Sequence, residues 1–475
     1  MDLRKATISN VKWSFIESFS LKFISFILSI ILARLLTPNN FGVLAIVNVF
    51  YLLTQLFVDG GLKEALIQKK EASSIHFSSV FWVNIGISGC LYLGLFCLAP
   101  YIENFYGYSN LSFYIRLQSI TLIIESFGIV QIAKAIKDLN LKKITKARIP
   151  ASLLSFFVGI VLAFYGYGVL ALIIQQLVNA FIYTCLLLFQ IRYRPQFIIN
   201  WKIVKQLYHF GIKILGVSLL SRFYVQSLNL LYARFYTPHL LGLYTKSNSM
   251  QSVPIELVNS TFLKGLYPSL VHLQDNIEKL RSLFMQNMKI IFYIMLFING
   301  IFFFKTHEIV KILLGDNWID SVIYLKILSI GSLFYPIVNQ TQSILKVRNK
   351  VNIYFRIELI SKMIMIIVVA IGIFRISLSL PQILSIVVGL GIIVFFVYFL
   401  VVSRILKFSF TKEVILIILK FSVASILGLS FNLFLDCVDN VVLNLLSYIL
   451  LYTIIGIVLL FIFDKQLINK LRKRC

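Results

Sequence analysis

The stretch that decides the fold is ILARLLTPNNFG, residues 31–42, because its order of residue types returns as LYARFYTPHLLG at 231–242. Over residues 32–43 and their partners 200 positions later, five of twelve residues are identical, without a gap. Proline fixes φ and lacks an N–H, so it stops the preceding helix and starts a turn. Glycine allows a close approach where the next helix begins. The sequence therefore predicts a helical hairpin that occurs twice.

The composition places these hairpins in a membrane. Hydrophobic residues make up 59% of the 475 residues, charged residues only 13%, and the mean hydropathy is +0.89. A soluble domain has about 45–50% apolar and about 25% charged residues. The net charge of +26 does not indicate nucleic acid, since the basic residues form short clusters between apolar runs, as in the inner loops of membrane proteins.

Runs of about 20 apolar residues define the predicted membrane spans. We predict an all-α integral membrane protein with about fourteen transmembrane helices. Their approximate ranges are 13–36, 41–59, 77–100, 111–133, 147–165, 168–191, 209–236, 240–262, 286–306, 320–345, 352–374, 381–403, 413–435 and 441–463.

The loop charges give an expected orientation. If the N-terminus is cytoplasmic, 32 of the 45 Lys and Arg residues fall in inner segments and three in outer segments. Inner loops of membrane proteins carry such an excess. We therefore expect a multi-pass protein of the bacterial cytoplasmic (inner) membrane, with cytoplasmic N- and C-termini.

A second match supports duplication of a larger unit. IVQIAKAI at 129–136 aligns with IVNQTQSI at 337–344. Each repeat holds six predicted spans, and an even number gives both repeats the same orientation, which is a common construction of transporters. The predicted domains are an N-terminal six-helix bundle (1–200), a C-terminal six-helix bundle (201–403), and two extra transmembrane helices with a basic cytoplasmic tail (404–475).

Charged residues inside the predicted spans indicate an anionic cargo. A charge at mid-bilayer costs at least about 2.5–3.5 kcal/mol on insertion scales. The acids weighed against the basic residues are Glu17, Asp59, Glu125 and Glu256. Since ten basic residues outnumber these four, we predict a wet, positively charged cavity. The ten are Lys22, Arg34, Arg116, Arg222, Arg234, Lys246, Lys264, Lys326, Lys362 and Lys420.

Depth and repeat symmetry select the candidate site. Lys22 and Arg222 lie near the middle of their spans at equivalent repeat positions, and we predict that they bind the cargo. Arg34 and Arg234 would line the outer mouth, although snorkelling to the interface explains them equally well. Arg116, Lys246 and Lys326 lie in the outer half of their predicted spans and would extend the same field outward.

Three acids are candidates for ion coupling, namely Glu17, Glu125 and Glu256. The alternative role for each is a counter-charge to the basic residues. Lys264, Lys362 and Lys420 lie close enough to the inner face to snorkel.

Catalytic signatures are absent from the sequence. There is no Gly-rich phosphate loop, no H-E-x-x-H and no cluster of Cys and His with metal spacing. We expect no catalytic residue, no metal and no cofactor, and therefore no enzyme.

Two longer stretches carry a family resemblance. Residues 33–71 and 241–284 resemble the two signatures of bacterial polysaccharide exporters, the Wzx-like O-antigen and capsule flippases, and LLGDNW at 313–318 fits their exterior loop. This family belongs to the multidrug/oligosaccharidyl-lipid/polysaccharide exporter superfamily, and the likeness is nearest to its colanic-acid and teichuronic-acid branch. The resemblance implies a two-bundle fold and export of undecaprenyl-pyrophosphate-linked oligosaccharide to the outer leaflet.

Two other functions compete with that of a flippase. A cation-coupled multidrug antiporter on the same fold should favour acids in its cavity, and a membrane glycosyltransferase or polymerase should have a substantial exterior domain. Coupling to H⁺ or Na⁺, and contact with a polymerase and chain-length machinery, remain open at this point.

Overall fold

The computed structural model describes residues 20–59, 61–69, 71–435 and 441–463, and over these ranges the chain is helical with short connections. The helices group into two compact units, Met1–Gly242 and Leu243–Cys475. The predicted domain boundaries at 200 and 403 remain a prediction.

The first unit consists of eight described helices and the beginning of a ninth. A helix over 20–35 (α1) is followed by α2 (Pro38–Asp59), α3 (Leu62–Gln68), α4 (Ser74–Tyr106), α5 (Leu111–Lys137), α6 (Leu141–Phe164), α7 (Val169–Ile191), α8 (Trp201–Phe235) and the start of α9 (Pro238–His272). Neighbouring antiparallel helices pack most extensively, α4 on α5 and α6 on α7. Apolar residues of α3, α4 and α5 form one buried cluster, which includes Leu62, Val80 and Val130.

The second unit continues α9 and adds eight further helices and one 3₁₀ turn. These are α10 (Ile277–Phe304), α11 (Thr306–Leu313), the turn Asp316–Ser321, α12 (Val322–Ser332), α13 (Tyr335–Val347), α14 (Val351–Phe374), α15 (Leu380–Leu406), α16 (Phe410–Leu435) and α17 (Val441–Phe463). In the LLGDNW segment at 313–318, Gly315 takes a φ of +91° and Trp318 is fully buried.

Ten helical segments of the described chain are long and apolar enough to cross a membrane. The all-α membrane fold is therefore confirmed, whereas the number fourteen stays a prediction. The predicted span 320–345 proves to be two helices, α12 and α13, which are interrupted at Leu333–Phe334, just before Pro336. Proline at the start of α13 stops the preceding helix, because its N–H is missing.

Within the second unit, α17 packs on α10 through aromatic rings. Tyr452 of α17 stacks on Phe297 of α10 at 6.1 Å and on Tyr448 at 5.5 Å. A Cβ at Gly300 would overlap the Tyr452 ring, so this glycine makes room for it.

Candidate functional site

The two Thr-Pro turns have the same backbone structure. Helix α1 ends at residue 35 and α8 at residue 235, two residues follow outside helix, and α2 and α9 begin at Pro38 and Pro238. Proline suits the first helical position, where no N–H partner is needed. Ala33 and Ala233, the residues before the arginines, are each only 1% exposed. The predicted stop of one helix and start of the next is confirmed at both places.

The two turns also pack against each other inside the first unit. A Cβ at Gly42 would overlap the carbonyl oxygen of Pro238, and a Cβ at Gly242 would overlap that of Pro38. The contact is reciprocal, as in an isologous interface between two identical subunits. The glycines are required because backbone meets backbone here.

The arginines near this crossing remain accessible. Arg34 and Arg234 are both exposed, and the Arg234 guanidinium lies 4.7 Å from the centre of the Phe105 ring. Arg116 lies 4.1 Å from the Phe96 ring and donates from Nε to the Phe96 carbonyl oxygen at 3.2 Å. Cation–π contacts hold the Arg234 and Arg116 side chains against these rings.

A tyrosine ties the α4–α5 loop to the second Thr-Pro turn. The Tyr108 hydroxyl donates to the Tyr236 carbonyl oxygen at 3.3 Å. Burial raises the pKa of Tyr108, an effect that Arg234 partly opposes. The Tyr108 hydroxyl therefore stays protonated and can act as a donor at neutral pH.

The symmetric cation pair is only partly defined. Lys22 on α1 is half-buried and Arg222 on α8 is exposed. Their joint role in cargo binding stays a prediction. Glu17, one of the coupling candidates, lies outside the described residues.

Glu125 occupies a built polar site in the first unit. Its Oε2 atom accepts hydrogen bonds from the Tyr51 hydroxyl at 2.7 Å and from Gln55 Nε2 at 2.8 Å. Both donors are on α2 and the carboxylate is on α5, so these hydrogen bonds connect the two helices.

Lys246 and Glu256 are far apart on α9. They are ten residues apart, which corresponds to about 15 Å along a helix. Lys246 is 3% exposed, whereas Glu256 is exposed. Since these two charges do not meet, they do not form one site.

Glu358 is an acid that sequence reasoning missed, although it lies within the predicted span 352–374. Its Oε1 atom accepts from Gln342 Nε2 at 2.8 Å and from the Tyr398 hydroxyl at 2.9 Å, while Lys362 Nζ lies 2.6 Å from Oε2. The spacing of four residues could have indicated this ion pair. Lys362 is thus paired within its own helix.

The chemistry of metals finds no support in the parts of the chain that the structure describes, where no group of three His, Cys, Asp or Glu side chains could hold an ion. The described residues provide exposed arginines and two hydrogen-bonded carboxylates, Glu125 and Glu358. They also show the backbone contact between the two Thr-Pro turns.

Comparisons with known proteins agree with this architecture. Over 96% of the chain, the fold matches the structure of "Lipid II flippase MurJ, inward closed conformation" with a TM-score of 0.78 and 15% identity, covering all of that chain. The protein thus has the fold of a polytopic helical transporter. Its residues 31–323 match the model of the family described as "Polysaccharide biosynthesis protein", and the chain belongs to that family.

Two similar proteins are also named for polysaccharide biosynthesis. The chain is 25% identical to the lipopolysaccharide biosynthesis protein WzxC of Escherichia coli, over 78% of this chain and 76% of that protein. It is 21% identical to the teichuronic acid biosynthesis protein TuaB of Bacillus subtilis, over 74% of each chain. The resemblance predicted from residues 33–71 and 241–284 is confirmed.

Proposed function

We propose that this protein is a flippase of lipid-linked oligosaccharide repeat units for O-antigen, capsule or exopolysaccharide. The carrier is undecaprenyl pyrophosphate, and the direction is from the inner to the outer leaflet of the cytoplasmic membrane. The observation that carries the proposal is membership of the polysaccharide biosynthesis family in a chain with many candidate membrane spans. That family supports a role in transport and not in catalysis.

The cationic side chains suit the head group of such a cargo. A pyrophosphate is a polyanion, and Arg and Lys bind phosphate oxygens by charge-assisted hydrogen bonds. These bonds are stronger where the local dielectric constant is low. Arg222, Arg34 and Arg234 are exposed, as a site for such a head group requires.

The mechanism that we propose is alternating access. Lys22 and Arg222 capture the pyrophosphate on the inner side. The bundles then change conformation, and Arg34 and Arg234 guide release on the outer side. Entry of H⁺ or Na⁺ at Glu125, Glu17 or Glu256 would reset the cycle. The cytoplasmic position of both termini belongs to the same proposal.

The antiporter alternative predicts the opposite electrostatics. An organic cation requires excess carboxylate in its path. Here Glu358 is paired with Lys362, and the Glu125 carboxylate is engaged by Tyr51 and Gln55. The charge in excess within the predicted spans is basic, which favours an anionic cargo.

A deletion strain provides the test. Lipid extracts analysed by mass spectrometry should show polyprenyl-pyrophosphate oligosaccharide trapped on the inner leaflet, and the intact protein should relieve this accumulation. The Lys22→Gln, Arg222→Gln double variant should not relieve it. A Lys279→Gln, Lys350→Gln control removes two exposed charges outside the predicted spans and should behave like the intact protein.

The outcomes separate function from site. Without any accumulation of lipid-linked intermediate, the flippase proposal fails, and efflux of organic cations becomes the next measurement. Full activity of the Lys22→Gln, Arg222→Gln variant would leave the function standing and remove these two residues from the site.

A further inference from the structure

Residues 192–200, which join α7 to α8, form an extended segment that we call the strap. It lies along the first turns of α4, where two adjacent buried serines hold its backbone. The Ser78 hydroxyl accepts from the Gln196 N–H at 2.9 Å, and the Ser79 hydroxyl accepts from the Asn200 N–H at 2.9 Å. Trp82 Nε1 donates to the Gln196 carbonyl oxygen at 2.9 Å. The strap is therefore fixed although it has no secondary structure.

Aromatic residues place the strap at the edge of the membrane. Phe197 packs on Trp82 with ring centres 4.2 Å apart. Helix α4 has 33 residues, which correspond to about 50 Å, whereas the hydrocarbon core is about 30 Å thick. If the surplus is shared, roughly 10 Å of helix extends beyond each side. Trp82 is eight residues, or about 12 Å, from the first residue of α4, at the level of the interface.

The outer surface of the strap combines apolar and basic side chains. Phe197 is 87% exposed and Trp201, the next residue after the strap, 69%. Ile198 and Ile199 are also exposed. Exposed basic residues flank them, namely Arg192, Arg194, Lys202 and Lys205.

No acid balances these charges along the chain. The sequence contains neither Asp nor Glu between Asp138 and Glu256. Tryptophan rings favour the level of the lipid head groups, and basic residues near a membrane surface are attracted by anionic lipids. An aromatic and basic surface held at interface depth thus matches a negatively charged phospholipid.

We propose that the strap is a docking surface for anionic phospholipid head groups. Phe197 and Trp201 insert at the head-group boundary, and Arg194, Lys202 and Lys205 contact lipid phosphates. Ser78 and Ser79 keep the surface turned towards the lipid. The strap thereby anchors the start of α8, independently of any cargo.

The experiment measures the lipids beside Trp201. The full chain is reconstituted into vesicles of phosphatidylcholine and phosphatidylglycerol in equal amounts, with one or the other lipid brominated as a quencher. The Trp201 signal is the difference between the intact protein and its Trp201→Phe variant, which retains the Trp82 hydrogen bond. We expect stronger quenching by brominated phosphatidylglycerol, since each basic residue at an anionic surface is worth roughly fivefold in lipid preference.

Variants locate the preference. The Arg194→Gln, Lys202→Gln, Lys205→Gln variant should lose it and be quenched equally by both lipids. The Lys279→Gln, Lys350→Gln, Lys412→Gln control removes the same number of exposed charges elsewhere and should retain it. High salt should weaken the preference in the intact protein, because screening acts on exposed charges, and this measurement does not depend on folding of a variant.

Two results would overturn the proposal. Equal quenching of the intact protein by both lipids would remove the preference for anionic lipid. Absence of quenching by either lipid would place Trp201 away from the membrane, as expected if the surface binds a soluble protein instead.

Discussion

Replacement of Gly42 by alanine tests the reciprocal crossing of the two Thr-Pro turns. Gly42 lies in the first turns of α2, where its missing side chain leaves room for the Pro238 carbonyl group. Alanine would place a methyl group on that backbone oxygen. The two backbones must then separate, because a carbonyl group cannot rotate away as a side chain can.

The magnitude follows from two opposing terms. Overpacking costs typically about 1–3 kcal/mol, whereas alanine in a helix is worth about 0.5–1 kcal/mol over glycine. We expect a net loss of up to about 2.5 kcal/mol in the free energy of unfolding, and a difference of about 1–3 kcal/mol from a glycine-to-alanine change in a helix that meets no atoms. The matched control is Gly86→Ala on α4, where a Cβ meets nothing within 4 Å. This control should be neutral or slightly stabilising.

The assay is denaturant unfolding of the purified protein in one detergent, followed by near-UV circular dichroism. Combination with Gly242→Ala gives a second check. After one alanine has separated the backbones, the second should cost less than it does alone, so the two effects should not add. If Gly42→Ala were as stable as Gly86→Ala, the backbone crossing would be refuted.

Three other predictions concern the polar contacts. Tyr51→Phe removes a hydrogen-bond donor to the Glu125 carboxylate. It should destabilise the protein by about 1.5–3 kcal/mol, measured by the same unfolding assay. Glu358→Gln leaves Lys362 without its ion pair. We expect the free energy of unfolding to fall by about 1–3 kcal/mol. This loss is smaller than the roughly 3–5 kcal/mol of a fully buried pair, because both side chains are slightly exposed. Ser79→Ala should loosen the strap and accelerate tryptic cleavage within residues 192–200, read by mass spectrometry.

Each of these has its own control. Tyr92→Phe has no described carboxylate partner to lose and should be neutral. Adding Lys362→Met to Glu358→Gln should recover part of the lost stability; failure to do so would mean that the ion pair is not the source of the loss. Ser88, which donates to the Asn84 carbonyl oxygen of its own helix at 2.7 Å, is the control for Ser79, and an equal cleavage rate in both alanine variants would contradict the serine contact.

The helix ends and the membrane spans could be predicted from the sequence, because they depend on backbone geometry and on the length of apolar runs. The Thr-Pro turns at 37–38 and 237–238 were predicted because proline stops a helix in any context. The likeness of the two repeats was predicted from the five identical residues in the twelve aligned positions. The span pattern follows from the length of apolar runs, which the bilayer thickness sets.

The direction of side chains was not readable. The depth of a residue in a span follows from its position, but its angle around the helix depends on packing against neighbours. Lys246 and Glu256 were both predicted to act inside the membrane, yet Lys246 is buried and Glu256 is exposed. The Glu358 site was not predicted, because its partners Gln342 and Tyr398 come from two other helices that are brought together only by folding. Similarly, the sequence around Ser78 and Ser79 does not indicate that these serines hydrogen-bond to a backbone segment more than 100 residues later.

The backbone nature of the glycine crossing limits how the chain can be altered. When an enlarged side chain meets another side chain, a smaller partner elsewhere can restore the fit. At Gly42 and Gly242 the opposing atoms belong to main-chain carbonyl groups, which every amino acid carries. In a randomised library, second-site suppressors at 38 or 238 should therefore be absent, and recovery of function should come by reversion to glycine.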